Sequence, residues 1–127
     1  KTAGYEQEAV ANMVRCFERA RADIFAPQDC IGQGEDLEYL AGNWKVWREI
    51  CKVLKARFWA NIEAFAFTDH GAPPIEAGEP DRVLCQMALA EEQGAEKLVT
   101  WEAMHFLDPN GSPKSRHLRQ ALLDRLA

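Results

Sequence analysis

Long hydrophobic runs are missing from this sequence. No apolar stretch approaches the roughly 20 residues that a helix needs to cross a bilayer, so a membrane span is excluded. Cysteine is sparse and scattered: Cys16, Cys30, Cys51 and Cys85 form no Cys-x-x-Cys pair and have no histidine at finger spacing. This disfavours a zinc module and a disulfide framework, and leaves thiols that behave as small hydrophobes in a reducing compartment. The location these thiols lead one to expect is intracellular and cytoplasmic; residues 1–10 carry neither the apolar segment nor the small-residue cleavage site of a secretory signal.

Catalytic signatures are missing too. There is no Gly-x-Ser-x-Gly elbow, no phosphate loop ending in Lys-Ser or Lys-Thr, and no His-Glu-x-x-His. Gly32-Gln33-Gly34 lacks the third glycine of a dinucleotide fingerprint and a strand before it. Strand-like alternation of apolar and polar residues does not stand out anywhere, and no repeat or low-complexity tract appears.

What is present is a 127-residue chain with 47% hydrophobic and 28% charged residues, the balance of one globular domain spanning 1–127. The net charge of −5 is unevenly spread: residues 43–57 and 112–127 are net basic, whereas 1–42 and 76–108 are net acidic. The expected surface is therefore dipolar.

Apolar residues recur mainly at helical steps. Val10, Val14, Phe17 and Ile24 mark a first amphipathic helix from Tyr5 to Phe25, ended by Ala26-Pro27-Gln28-Asp29. Leu37, Leu40, Trp44, Trp47, Cys51, Leu54 and Phe58 alternate steps of three and four, and Ile62 and Phe65 continue the same side. This predicts a central helix reaching about Thr68, with a break at Gly42-Asn43 and an unordered linker from Asp69 to Pro80. A third helical region runs from Pro80 to about Leu107, with Gly94 as an interruption. Ser112-Pro113 then supplies an N-cap and a proline at N1 for a closing helix through Leu118, Leu122 and Leu126. The fold these stripes predict is all-α, a compact antiparallel bundle of four to five helices.

Three constellations stand out as candidate sites. Lys45, Arg48, Lys52 and Lys55 form a ridge on the central helix that Trp59 continues, a surface suited to a partner protein or to phosphates. Lys114, Arg116, His117 and Arg119 cluster near the start of the last helix, where free N–H groups and the dipole favour an anion. Glu91, Glu102 and His105 share one side of the third helix, with Glu102-Ala-Met-His105 in the Glu-x-x-His step of carboxylate metal sites. A second such step, which a di-iron bundle requires, is missing. Trp44, Trp47, Phe58 and Phe65 read as core.

The expectation from sequence is a non-enzymatic helical interaction module: an adaptor, regulatory protein or small subunit that docks a helix face on another protein and needs no cofactor. The alternatives are a nucleic-acid-associated subunit using the basic ridge and a metal-dependent helical enzyme. A homo-oligomer is compatible with either surface.

Overall fold

Lys55 ends the central helix well before Thr68. Its backbone is left-handed, at φ 55° and ψ 33°, and the N–H groups of Lys55 and Ala56 turn back onto the carbonyls of Lys52 and Cys51. That closure satisfies the last helical carbonyls, and the chain leaves it in extended conformation. The computed structural model describes residues 2–19, 21–34, 36–69, 72–100 and 103–127.

Helix α1 (Thr2–Phe17) leads to strand β1 (Ile24–Phe25) and a short 3₁₀ turn at Ile31–Gln33, and helix α2 spans Leu37–Leu54. Strand β2 (Arg57–Asn61) is followed by a hairpin of β3 (Phe65–Asp69) and β4 (Ala72–Ala77). Helix α3 (Pro80–Glu92), strand β5 (Lys97–Val99) and helices α4 (Ala103–Phe106) and α5 (Pro113–Leu126) complete the order. The expected all-α bundle is thereby corrected to a mixed α/β fold with two sheets.

The first sheet has the order β1-β2-β5 and is parallel throughout, with Phe25 beside Phe58 and Trp59, Ala60 and Asn61 beside Lys97, Leu98 and Val99. Parallel neighbours need a crossover, and α2 and α3 supply the two. The second sheet is the antiparallel hairpin, in which Phe65 faces Ala77 and Phe67 faces Ile75, with a register irregularity before Asp69. Pro73 and Pro74 lie between the pairs Phe67–Ile75 and Asp69–Ala72, where the register irregularity interrupts the ladder and a missing N–H donor is tolerated.

Strand periodicity divides β2 into two faces. Phe58 and Ala60 point to the helices, where Phe58 meets Trp44 of α2 at 5.7 Å between ring centres. Leu40, Ile50, Cys51, Val83, Ala90 and Leu118 are buried from the helical side. Phe25 extends this face of the sheet, 4.9 Å from Phe17 and 6.4 Å from Trp47. Helix α2 packs on both α1 and α3, and α3 on α5, so the long helices form one layer. The opposite face carries Ile24, Arg57, Trp59 and Lys97, which are half-buried or exposed.

Other departures from the sequence reading have local causes. Ile24 and Phe25 end no helix: α1 stops at Phe17, and the two residues pair with Arg57 and Phe58. Gly42 breaks nothing, because α2 runs through it with no neighbour crowding that position. Gly94, at φ 84°, does break the third region, and β5 comes after it. The closing helix begins where Ser112-Pro113 puts it, with Ser112 Oγ accepting the Ser115 N–H at 3.1 Å. Among the described residues no helix is long and apolar enough to cross a membrane.

Cys16, Cys51 and Cys85 are free thiols. Burial lifts the pKa of Cys51 to about 11, so at neutral pH it stays a protonated, unreactive thiol. Iodoacetamide at neutral pH should alkylate the exposed Cys16 and Cys85 of the native protein and spare Cys51 until denaturant is added. Mass spectrometry showing Cys51 modified as fast as Cys85 would contradict its place in the core.

Candidate active site at the carboxyl edge of the parallel sheet

Parallel strands bring their C-terminal ends to one edge, and the loops leaving those ends gather there. Past β1 come Gln28 and Asp29, and past β2 come Ile62 and Glu63. The ladder continues beyond the strands: Asn61 N–H donates to Pro27 O at 3.0 Å, Asp29 N–H to Asn61 O at 3.2 Å, and Ile62 N–H to Val99 O at 2.8 Å. These bonds fix both acids relative to the sheet.

Asp29 is 3% exposed. Its Oδ1 accepts the backbone N–H groups of Ile31 at 3.2 Å and Glu63 at 3.3 Å, and its Oδ2 accepts Gln86 Nε2 at 2.6 Å. Gln86, fully buried on α3, also reaches the Glu63 carbonyl at 3.4 Å. One helical turn earlier, Arg82 donates to Gln86 Oε1 at 2.9 Å and to the Phe65 carbonyl at 2.6 Å. The i,i+4 spacing of Arg82 and Gln86 makes this brace possible. A buried carboxylate must be hydrogen-bonded to be tolerated, and here each oxygen has a donor.

Burial pushes the Asp29 carboxyl above its ordinary value, and the charge of Glu63 adds to the rise. The donors from Gln86, Ile31 and Glu63 act the other way. Burial likewise lowers the pKa of Arg82, while Asp29, Glu63 and Glu79 oppose that shift.

Glu63 is fully buried. Its Oε1 accepts the side-chain amides of Gln28 and, at 2.7 Å, Gln33, and its Oε2 accepts the Gln33 N–H at 3.2 Å. Gln28 and Gln33 are exposed residues, so this carboxylate lies one side chain below the surface. Gly32 is what lets the loop come so close: a Cβ there would collide with the Phe65 carbonyl and lie 2.9 Å from Glu63 Oε2. A carboxylate held by neutral amide donors at such an edge can exchange a proton with, or accept a hydrogen bond from, a bound hydroxyl.

The residues singled out from sequence lie elsewhere. Lys45, Arg48 and Lys52 do lie on α2 and are exposed, with Arg48 3.5 Å and Lys52 3.9 Å from Glu49. Lys55 is the residue that closes the helix. Trp59 does not continue their ridge: it lies on β2, with Arg57 and Lys97 5.6 and 5.2 Å from its ring centre. Lys114 reaches Glu79 at 3.2 Å, Arg116 bonds the Gly111 carbonyl at 2.6 Å, His117 is exposed and Arg119 half-buried. Glu91 pairs with Arg125, His105 sits on α4 beyond β5, and Glu102 lies outside the described residues. Among the described residues no group of three potential ligands could hold a metal ion.

The clustered residues Asp29, Glu63, Gln28, Gln33, Arg82 and Gln86 were not legible as a set, because topology alone joins them. One signal was available: Glu63 is a lone acid within Ile62-Glu63-Ala64-Phe65-Ala66-Phe67. A charge inside so apolar a run is either misplaced or held for a purpose.

Fold and site together define a parallel α/β domain with a buried carboxylate cluster at its carboxyl edge. Residues 3–117 match a family described as a domain of unknown function, DUF4434, and the chain belongs to that family. In structure it is similar to a "putative alpha-L-fucosidase" from Bacteroides thetaiotaomicron VPI-5482, with a TM-score of 0.69 and 22% sequence identity. The match covers 80% of this chain and 31% of that one, so the chain spans less than a third of its neighbour. No curated protein matches in sequence. These findings overturn the helical interaction module and its all-helical alternatives, because the shared fold is built on a parallel sheet.

The raised pKa of Asp29 has a thermodynamic consequence. Its stabilising contribution is fully present below the ordinary carboxyl value of 3.8 and is lost as the pH rises through the folded value. Asp29→Asn removes the titration and sets an amide against the Gln86 donor, which should cost about 1–3 kcal/mol. The stability gap between wild type and variant should therefore narrow as the pH rises. Urea unfolding across about pH 3 to 7 checks this, and a gap that widens with pH contradicts it.

Proposed function

We propose that the chain carries a carboxylate site of a carbohydrate-processing protein of the glycoside-hydrolase type, with Glu63 as the reacting carboxylate. The observation that carries this reading is the position of Glu63: past the end of a parallel strand, one amide layer below the surface and held from both oxygens. Asp29 fixes the Glu63 backbone N–H and has its own oxygens occupied, which makes it a positioning residue.

Glycoside hydrolysis takes a carboxyl group that donates or accepts a proton, or attacks the anomeric carbon, together with a second one across the scissile bond. Glu63 supplies one. On this reading a sugar hydroxyl replaces the Gln28 or Gln33 amide on Glu63, and the displaced amides bond the sugar. The neighbour's description directs the first choice of substrate to an α-L-fucoside. The second carboxyl then comes from a part of the protein beyond these residues, as the 31% coverage of the neighbour allows. Free thiols at Cys16, Cys51 and Cys85 suit a cytoplasmic location.

The test is hydrolysis of a panel of aryl glycosides, beginning with 4-nitrophenyl α-L-fucoside, by the protein at its natural length. Glu63→Gln should lose about 10²–10⁴-fold in kcat with its circular dichroism unchanged, the range expected for removing an acid–base group. Full turnover by Glu63→Gln, or none by wild type on any glycoside, would count against the proposal.

A further inference from the structure

Strand alternation sets one row of side chains on the face of β2 turned away from the helices. Phe58 and Ala60 are buried against the helix layer, and Ile62 and Ala64 share a small apolar cavity with Val83 and Met87 of α3. Trp59, Asn61 and Glu63 therefore point the other way, each about 6.6 Å along the strand from the next.

Asn61 is the member of that row whose side chain the carboxylate network does not use. Its backbone is engaged, with the N–H on Pro27 O at 3.0 Å and the carbonyl accepting the Asp29 N–H at 3.2 Å. Its Oδ1, however, is shielded from solvent and has no hydrogen-bond partner among the described residues. Buried polar atoms are almost always paired, so an orphaned acceptor points to a donor that arrives from outside. Trp59 Nε1 shares that state, but it lies one step toward the amino end, with Arg57 and Lys97 5.6 and 5.2 Å from its ring centre. Asn61 stands at the carboxyl end, where parallel sheets bind their ligands.

The neighbouring strands define the donor. On one side Val99 lies beside Asn61 and offers no polar side chain. On the other lies Gln28, about 4.8 Å away across a parallel bridge. Gln28 carries an amide donor, yet that amide is turned to Glu63 Oε1. One exposed side chain thus stands beside both acceptors, and a ligand that displaces it meets them together. An ionised carboxylate and a carboxamide oxygen both accept and neither donates. The matching ligand brings two hydroxyl donors on adjacent carbons, the vicinal diol of a sugar ring, whereas a phosphate or a carboxylate would set acceptor against acceptor.

We infer that Asn61 is a second ligand-binding residue of the Glu63 site, its Oδ1 accepting the sugar hydroxyl next to the one held by Glu63. This rests on the reading of Glu63 as a carboxylate that meets a sugar, and it adds what that sugar must present: two neighbouring free hydroxyls.

The test is binding, which needs no turnover. Calorimetry on the protein at its natural length starts from L-fucose, D-galactose, D-glucose and D-mannose, and continues with the monodeoxy analogues of the sugar that binds best. Removing one particular hydroxyl should weaken binding to wild type about tenfold or more. Asn61→Ala should weaken the parent sugar by a similar factor and leave that one analogue unaffected, so that the two losses do not add. If Asn61→Ala fails to fold, the side-chain amide resonance of Asn61 in wild type decides: it should shift with the parent sugar and stay in place with the analogue. Asn61→Ala that weakens the parent and every analogue by the same factor overturns the inference, because Oδ1 then meets the protein itself. So does unchanged affinity in Asn61→Ala, a wild type that binds none of the four sugars, or an Asn61 resonance indifferent to which sugar is added. The two readings fail separately. Hydrolysis lost in Glu63→Gln beside unchanged sugar affinity in Asn61→Ala removes Asn61 and keeps the proposed function, whereas Asn61-dependent binding without hydrolysis of any glycoside keeps Asn61 and removes the reaction.

Discussion

Asp29 accepts two backbone N–H groups on one oxygen, from Ile31 at 3.2 Å and Glu63 at 3.3 Å. The first donor belongs to the loop after β1 and the second to the loop after β2. One carboxylate thus ties together two segments more than 30 residues apart in sequence, at the point where both leave the sheet. Without it the two N–H groups would be buried without acceptors, each at a cost comparable to a lost hydrogen bond. The loop after β1 carries Gln28 and Gln33, which hold Glu63, so the clamp at Asp29 also sets the geometry of the candidate reacting group.

The clamp is braced from the helix layer. Gln86 links Asp29 to α3, and Arg82 links Gln86 to the start of the hairpin through the Phe65 carbonyl. Glycine appears where this arrangement needs space: at Gly32 for the Glu63 carboxylate and at Gly78 for the Arg82 guanidinium. A single network therefore reaches β1, β2, β3 and α3. Its burial is costly for the charges and is offset by the number of donors aimed at them.

The helices were largely legible in the sequence and the sheet was not. Leu40, Trp44 and Cys51 are core residues of α2, as their spacing indicated, and Ser112-Pro113 opens α5. Phe58, Ile62 and Phe65 keep the same three- and four-residue steps, but they belong to β2, the loop after it and β3. Buried parallel strands are short apolar runs, and periodicity alone does not separate them from a helix. The end of α2 was hidden because a lysine, where glycine is usual, takes the left-handed position. Strands of two and three residues, β1 and β5, are too short to alternate visibly. The site was hidden for a further reason: Asp29, Glu63 and Gln86 meet only once parallel pairing has placed the strand ends side by side.

The clamp can be tested at the single amides it is said to hold. In the native fold the Glu63 N–H depends on Asp29, while the adjacent Ile62 N–H is held by the Val99 carbonyl at 2.8 Å. Residue-resolved amide exchange in wild type and Asp29→Ala, under conditions where both remain folded, separates the two. The account predicts that Glu63 and Ile31 exchange about tenfold faster or more in the variant while Ile62 and Asn61 keep their protection. Unchanged protection of Glu63 in Asp29→Ala would show that the carboxylate does not hold the site together.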